Sequence, residues 1–489
     1  MDILPFSAEK EIYREGAYET KNLLNHSVIY YIGGDMEAEL LKKEPEMMQD
    51  IIRQNNSGAI IKLLDRLGRL NENFDTQPLM TLLKHDNERI RGLAIKNLAK
   101  IGDSNLVNVF INAVENDDSS SVRREAVSGI GRLRNDSNKP ILFKYLNDSD
   151  PEVVLQAMRG LLVFKEDKDV QEKLKKLNNH PNEMIQEVIK KEFYSNSSNG
   201  FDPNHTASPD FMKNTVVYGE VREILKSVKD ESVHLTFTSP PYYNARDYST
   251  YSSYKEYLEF LEQVFKEVHR ITKEGRFFLL NTSPIIIPRV GRQYSSKRYP
   301  IPYDIHPLLV KMGWEFIDDI VWEKPEASAK NRNAGFLQHR KPLGYKPNAC
   351  TECVMVYRKK TDKLIDWNIK QYDKKIVEES KINGDFESSN VWKICPSFDK
   401  THSAVFPLEL CNKVIKFYSF KGDLVFDPFA GSGTFGKSAL NLDRFFFLTE
   451  KEKKYVERIK ENLTQTKIFA DNKFRPKFLK IDTFERLAK

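Results

Sequence analysis

The sequence predicts an α/β unit on a mostly parallel sheet, preceded by an all-α solenoid of stacked helical repeats. Three observations carry this: a 32-residue period in the first half, short apolar strands alternating with amphipathic helices beyond residue 213, and a polar stretch between them. At 489 residues, 40% hydrophobic and 11% aromatic, the chain has material for two or three cores. No run of eighteen apolar residues occurs and the acidic start MDILPFSAEKE lacks the pattern of a secretory signal, so the cytosol is the expected compartment, with no membrane partner. Four cysteines in such a length argue against a disulfide framework. The net charge of +6 permits a polyanionic partner without requiring one.

Asp86, Asp118 and Asp150 recur at a spacing of 32, with Ile90, Val122 and Val153, then Ala94, Ala126 and Ala157, in step. A degenerate fourth copy places Asn182 and Ile185 in register. Each copy reads as an acidic turn capping a helix whose β-branched and small residues face a neighbour. This resembles HEAT-type repeats, expected over 57–195 and leaving 1–56 as a segment of unassigned role. NSSNGFDPNHTASPD opens a stretch, 196–213, that reads as a linker.

From 214 to 489 the strands VHLTFT, FFLL, DDIVW, CVMVY, LVF and FFFL alternate with helical stretches. The clearest, residues 254–271, gathers Tyr257, Leu261, Val264, Phe265 and Val268 on one face.

Two motifs carry chemistry. In GDLVFDPFAGSGTFGKSAL a strand runs through Asp427 and Phe429 into Gly431, Ser432, Gly433 and Thr434 and then into a helix; glycines there let a ligand approach the backbone. The following strand ends on Glu450, where an acidic side chain can hold ribose hydroxyls. The other motif is TFTSPPYYN, in which a strand runs out into Ser239, Pro240, Pro241 and Tyr242. The prolines stiffen the backbone and leave carbonyls as acceptors. An exocyclic amino group of a nucleobase is a poor nucleophile until acceptors such as a serine hydroxyl and a proline carbonyl hold its hydrogens.

TSPPY followed by DPFAGSGT resembles the amino-group DNA methyltransferases, in the permuted order of their β class. HSAVFP (402–407), MGWEFIDDIVWEKP and TECVMVYRKK resemble further elements of that family, and the likeness covers about residues 214–465. It implies a Rossmann-like methyltransferase sheet, S-adenosylmethionine as cofactor and double-stranded DNA as partner. Ser239, Pro240, Pro241 and Tyr242 would hold a flipped base. Asp427, Phe429, Gly431, Ser432, Gly433, Thr434 and Glu450 would surround the cofactor, with His402 and Phe406 at its methionine end. Glu220 stands where the family commonly has aspartate, and Phe435 where a second threonine is frequent.

Serine at the head of the tetrapeptide favours cytosine N4 as the target, with adenine N6 as the alternative; a DNA-binding helical-repeat scaffold is the alternative of another class. Basic loops holding Arg289, Arg292, Lys297 and Arg298, then Lys330, Arg332, Arg340 and Lys341, are candidate DNA contacts. The expected target-recognition segment, about 359–396, is short, so further DNA grip is expected from the repeats or from a partner, such as a cognate restriction or defence protein of a prokaryotic restriction–modification system. Cys350 and Cys353 form C-x-x-C without a matching pair, and no metal site is expected.

Overall fold

The computed structural model describes residues 45–195, 200–244, 251–287, 289–291, 293–328, 341–343, 349–382, 384, 387–399, 405–464 and 475–489. Contacts divide the chain into two units, Met1–Asn196 and Ser197–Lys489.

In the first unit the repeat helices are Glu88–Ile101, Ser120–Arg132, Pro151–Leu161 and Glu183–Phe193. Ile90, Ala94, Val122, Ala126, Val153, Ala157 and Ile185 are all buried, so the period does mark the core face. Asp150 caps its helix, accepting the Glu152 N–H at 2.9 Å, and Asn182 caps the last one. In the two earlier repeats the expected caps are displaced: Asn87 and Ser119 occupy the cap positions, one residue after Asp86 and Asp118. The two aspartates instead offer backbone carbonyls to Arg91 and Arg123, each at 3.0 Å. These arginines, also 32 apart, reach the next turn: Arg91 grips Asp117 at 2.7 and 2.9 Å, and Arg123 meets Asp148 at 3.4 Å. The Arg91 guanidinium holds the Asp117 carboxyl below its usual range. The unit also begins earlier than residue 57, because the helix Pro45–Arg53 buries Met48 in the same core.

In the second unit the strands are β1 (Thr215–Tyr218), β2 (Val233–Thr238), β3 (Thr272–Thr282), β4 (Ile285–Ile287), β5 (Lys297–Tyr299), β6 (Trp314–Glu323), β7 (Thr351–Lys359), β8 (Val391–Lys393), β9 (Leu424–Asp427), β10 (Phe445–Glu450) and β11 (Lys477–Lys480). Nine form one sheet in the order β11-β1-β10-β9-β2-β3-β7-β6-β8, while β4 and β5 pair as a hairpin. Only β7 runs against its neighbours, so the expectation of a mostly parallel sheet holds. Buried on both faces, β2 and β9 read as apolar or β-branched runs broken only by His234 and Asp427. The helix Tyr254–Ile271 buries all five residues assigned to its inner face.

The stretch expected as a linker is, over 200–213, seated on this unit. Gly200 O accepts from Trp367 Nε1 at 3.0 Å, Asp202 N–H donates to Gln371 at 2.7 Å, and Ser208 Oγ donates to Ser232 O at 2.9 Å. The stretch mimics a linker because it is poor in apolar residues: side chains of Trp367 and Gln371 hold its backbone, while Phe211 and Met212 at its end join the core. Part of the segment expected to read the target is also structural: Trp367 and Tyr372 are buried near the amino-terminal ends of the strands. There Arg276 pairs with Asp423, Tyr372 Oη donates to Asp423 at 2.6 Å, and His234 Nδ1 accepts the Leu424 N–H at 3.0 Å. Burial pushes His234 down to about 3, so it is neutral and donates from Nε2 to His205 O.

The repeat helices also make a testable close approach. A Cβ on Gly131 would sit 2.9 Å from Gly160 Cα, backbone against backbone, so nothing flexible can yield. Gly131→Ala should lower stability by about 1–3 kcal/mol through overpacking, read as a lower urea midpoint.

Candidate active site

β2, β9, β10 and β1 are consecutive parallel strands, so their carboxyl ends lie along one edge of the sheet. The segments leaving those ends line a cavity of about 710 Å³. Ser239, Pro240, Pro241 and Tyr242 leave β2, and Asp427, Phe429, Gly431, Ser432 and Thr434 leave β9. Glu450 ends β10, and Glu220 follows β1. The two motifs therefore meet in one cleft, as ligand sites of open parallel sheets do.

A buried hydrogen bond joins them directly: Thr238 Oγ1 donates to Asp427 Oδ1 at 2.6 Å, across 189 positions of sequence. The Phe429 N–H donates to the same oxygen at 3.0 Å and fixes the turn. Burial pushes the Asp427 carboxyl up to about 7, against these two donors. In the glycine turn, Gly431 and Gly433 have φ of 52° and 77°, and a Cβ on Gly433 would strike Ile459 at 2.9 Å. Gly433 thus starts the helix Thr434–Asn441 and is not among the cavity-lining residues.

Glu450 is buried and accepts the Gly431 N–H at 2.9 Å on one oxygen and the Glu452 N–H at 2.8 Å on the other. Burial raises it to about 7. A carboxylate offers about four lone-pair sites, so acceptor capacity for ligand hydroxyls is left over. Glu220 is more committed. It caps the helix Val221–Leu225 through the Arg222 N–H and pairs with Arg222 Nε, each at 3.0 Å.

The apolar part of the cavity is aromatic. Phe406 stacks on Phe237 at 4.5 Å, and Phe435, the departure from the family pattern, packs edge-on against Phe237 at 5.4 Å. Phe429 faces Phe260 at 6.0 Å. Tyr242 donates its hydroxyl to Glu352 at 3.2 Å, and burial together with that charge holds the phenol well above its usual value.

Glu352 was missed by sequence reasoning, as was Asn281, which donates to it at 2.5 Å, and Lys324, which pairs with it. All three line the cavity. Lys324 stood within the WEKP element, but nothing in the sequence pairs it with a glutamate on another strand.

The predicted DNA contacts lie elsewhere. Lys297 and Arg298 are exposed on β5, Arg289 is exposed in the β4–β5 connection, and Lys341 is exposed; none lines the cavity. Tyr299 of β5 packs on Tyr243 at 5.0 Å and Tyr254 at 4.4 Å, which anchors the hairpin to the residue after Tyr242. His402, Arg292, Lys330, Arg332 and Arg340 lie outside the described residues.

The fold and cleft define a Rossmann-like site with a buried acidic side chain, Glu450, at the end of β10, and comparison with known proteins supplies the family. Residues 233–461 match the N6/N4 methyltransferase family, described as DNA methylase, and 107–190 match HEAT repeats. The chain is 30% identical to the type II methyltransferase M.ScaI of Streptomyces caespitosus over 256 residues, 49% of this chain and 78% of that protein. It is 29% identical to the type II beta methyltransferase M.BslI of a Bacillus strain over 50% of this chain and 26% of that protein, so it spans about a quarter of this longer relative. The solved PvuII DNA methyltransferase, cytosine-N4-specific, is 18% identical over 55% of this chain and 98% of its own, with a TM-score of 0.39. The chain belongs to the N6/N4 DNA methylase family, with HEAT repeats in its first unit.

Thr238→Val removes the donor that spans the two motifs and leaves a buried carboxylate short of a partner. The variant should lose about 1–3 kcal/mol in urea unfolding, and Asp427 should titrate higher still.

Proposed function

We propose that this chain methylates DNA on an exocyclic amino nitrogen, the N4 of cytosine, within a restriction–modification system. The observation that carries the reading is the shared cleft, where Tyr242 and Gly431 line one cavity. S-adenosylmethionine fits the residues on the β9 and β10 side. Glu450 would take the ribose hydroxyls, the turn at Gly431, Ser432 and Thr434 would admit the ligand close to the backbone, and Phe429 and Phe406 would supply apolar walls. Glu220, already bonded to Arg222, contributes less. When bound, the cofactor supplies an electrophilic methyl on a sulfonium.

The β2 side handles the base. Ser239 Oγ and the Pro240 carbonyl accept the two amino hydrogens, turning the nitrogen lone pair toward the methyl, while Pro241 stiffens the turn and Tyr242 stacks on the ring. A base in a duplex must first leave the stack, at roughly a few kcal/mol. Exposed Lys297, Arg298 and Arg289 on the hairpin, and Lys341, would meet phosphates and position the duplex. The neutral hydroxyl of Ser239 supports cytosine. Residues 45–195 carry acidic and basic side chains in equal number, which assigns the electrostatic grip to the second unit and leaves the repeats for a protein partner, such as a cognate restriction or defence protein.

Labelled methyl transfer to duplex DNA should be readily measured for the wild type and fall about 10²–10³-fold in Ser239→Ala. Mass spectrometry of the digested product should find N4-methylcytosine; N6-methyladenine instead would replace the assigned base. Cofactor affinity should also respond to pH. The ionised Glu450 is the better acceptor, and its carboxyl sits at about 7, so affinity should fall as pH drops from about 8 to 6. Asp427 titrates in the same window, which makes Glu450→Gln the control: it should bind about 10- to 100-fold more weakly, with a flatter pH profile, by calorimetry.

A further inference from the structure

We infer that Asn281 is a catalytic acceptor for the target amino group, aimed by a half-buried ion pair; this rests on the methyltransferase reading above. Asn281 lies at the carboxyl end of β3, next to β2 and the tetrapeptide that follows it. Because β7 runs opposite to its neighbours, its first residues reach this same edge and bring Glu352 beside Asn281. Lys324, just beyond the end of β6, pairs with the other Glu352 oxygen and lies 4.7 Å from the Trp322 ring centroid. Three strands thus converge on one carboxylate.

That carboxylate decides which way the amide faces. Beside Lys324 it is an acceptor, so Asn281 presents Nδ2 to it and Oδ1 to the other side. Asn281 is 1% exposed, lines the cavity, and its Oδ1 has no hydrogen-bond partner among the described residues. A buried acceptor without a donor is uncommon in a folded protein, and at a cavity wall a ligand donor can supply the missing partner. The amino group brought to Ser239 and Pro240 is such a donor. Asn281 Oδ1 then shares a hydrogen with Ser239 Oγ in a three-centre bond. As the nitrogen–carbon bond forms and the methyl–sulfur bond breaks, positive charge grows on the nitrogen and an acceptor already held in place strengthens without reorganising; the surplus amino proton then passes to water. Glu352 and Lys324 are positioning residues, acting through Asn281 and through the Tyr242 hydroxyl that Glu352 also accepts.

The test is single-turnover methyl transfer to duplex DNA, with cofactor and DNA affinities and the melting temperature measured on the same preparations. Asn281→Leu keeps the side-chain size and removes the acceptor; its transfer rate should fall about 10²-fold while both affinities stay within about threefold of wild type. Glu352→Gln should show the same split with a loss of about tenfold. Should the leucine variant not fold, Glu352→Gln decides alone. A rate within about twofold of wild type, or a rate loss matched by an equal loss of cofactor affinity, overturns the role. An inert wild type overturns the methyltransferase reading along with it, whereas an active wild type with harmless substitutions removes Asn281 only.

Discussion

The cleft depends on two parallel strands being adjacent in space though far apart in sequence. β2 and β9 touch through Leu235 and Val425 and through Thr236 and Phe426, and at their ends Thr238 donates to Asp427. The tetrapeptide, the glycine turn and Glu450 all hang from that edge, because each strand delivers its following segment to the same side. Were the two strands separated by another, the tetrapeptide and the glycine turn would lie about 5 Å further apart per intervening strand, which is far on the scale of a near-attack distance.

The two ends of this sheet handle buried charge in opposite ways. At the amino-terminal end Arg276, Asp423, Tyr372 and His234 satisfy one another, and the Arg276 guanidinium keeps Asp423 below its usual range despite burial. That network is closed and gives rigidity. At the carboxyl end Asp427 and Glu450 are buried too, yet their donors are backbone N–H groups and one hydroxyl, and both are raised to about 7. Carboxylates held so incompletely keep acceptor capacity to spare, whereas that of Asp423 is taken up by its neighbours.

Much of this was legible in sequence because it is local. The 32-residue period, the strand β2 and the helix Tyr254–Ile271 follow from apolar patterning, and the glycine turn from its composition. Partnerships between distant elements were not. No pattern links Asn281, Lys324 and Glu352, which lie on or just beyond three strands and become neighbours only through sheet order. The one-residue error in the helix caps has a simple source. Asp, Asn and Ser all cap well, so a run such as Asp86-Asn87 or Asp118-Ser119 leaves the choice to the arginine that claims the aspartate carbonyl. The misread linker failed for a related reason, since polar side chains that tie down a loop look the same in sequence as those that are merely solvated.

The reversed strand β7 shows why a mixed sheet suits this site. In the parallel part only carboxyl ends reach the cleft, and their residues must both terminate a strand and serve the ligand. An antiparallel strand presents its beginning there instead, so Glu352 enters without ending β7, and Thr351–Lys359 continues as a ladder between β3 and β6. Glu352 pairs with Trp322 of β6, and from Cys353 onward β3 pairs the other side of the strand, which gives the carboxylate a stiffer mount than the loops after β2 or β9 offer. A charge that must orient a neighbouring amide without moving belongs on such a strand, while the groups that must yield as a base enters belong on the turns.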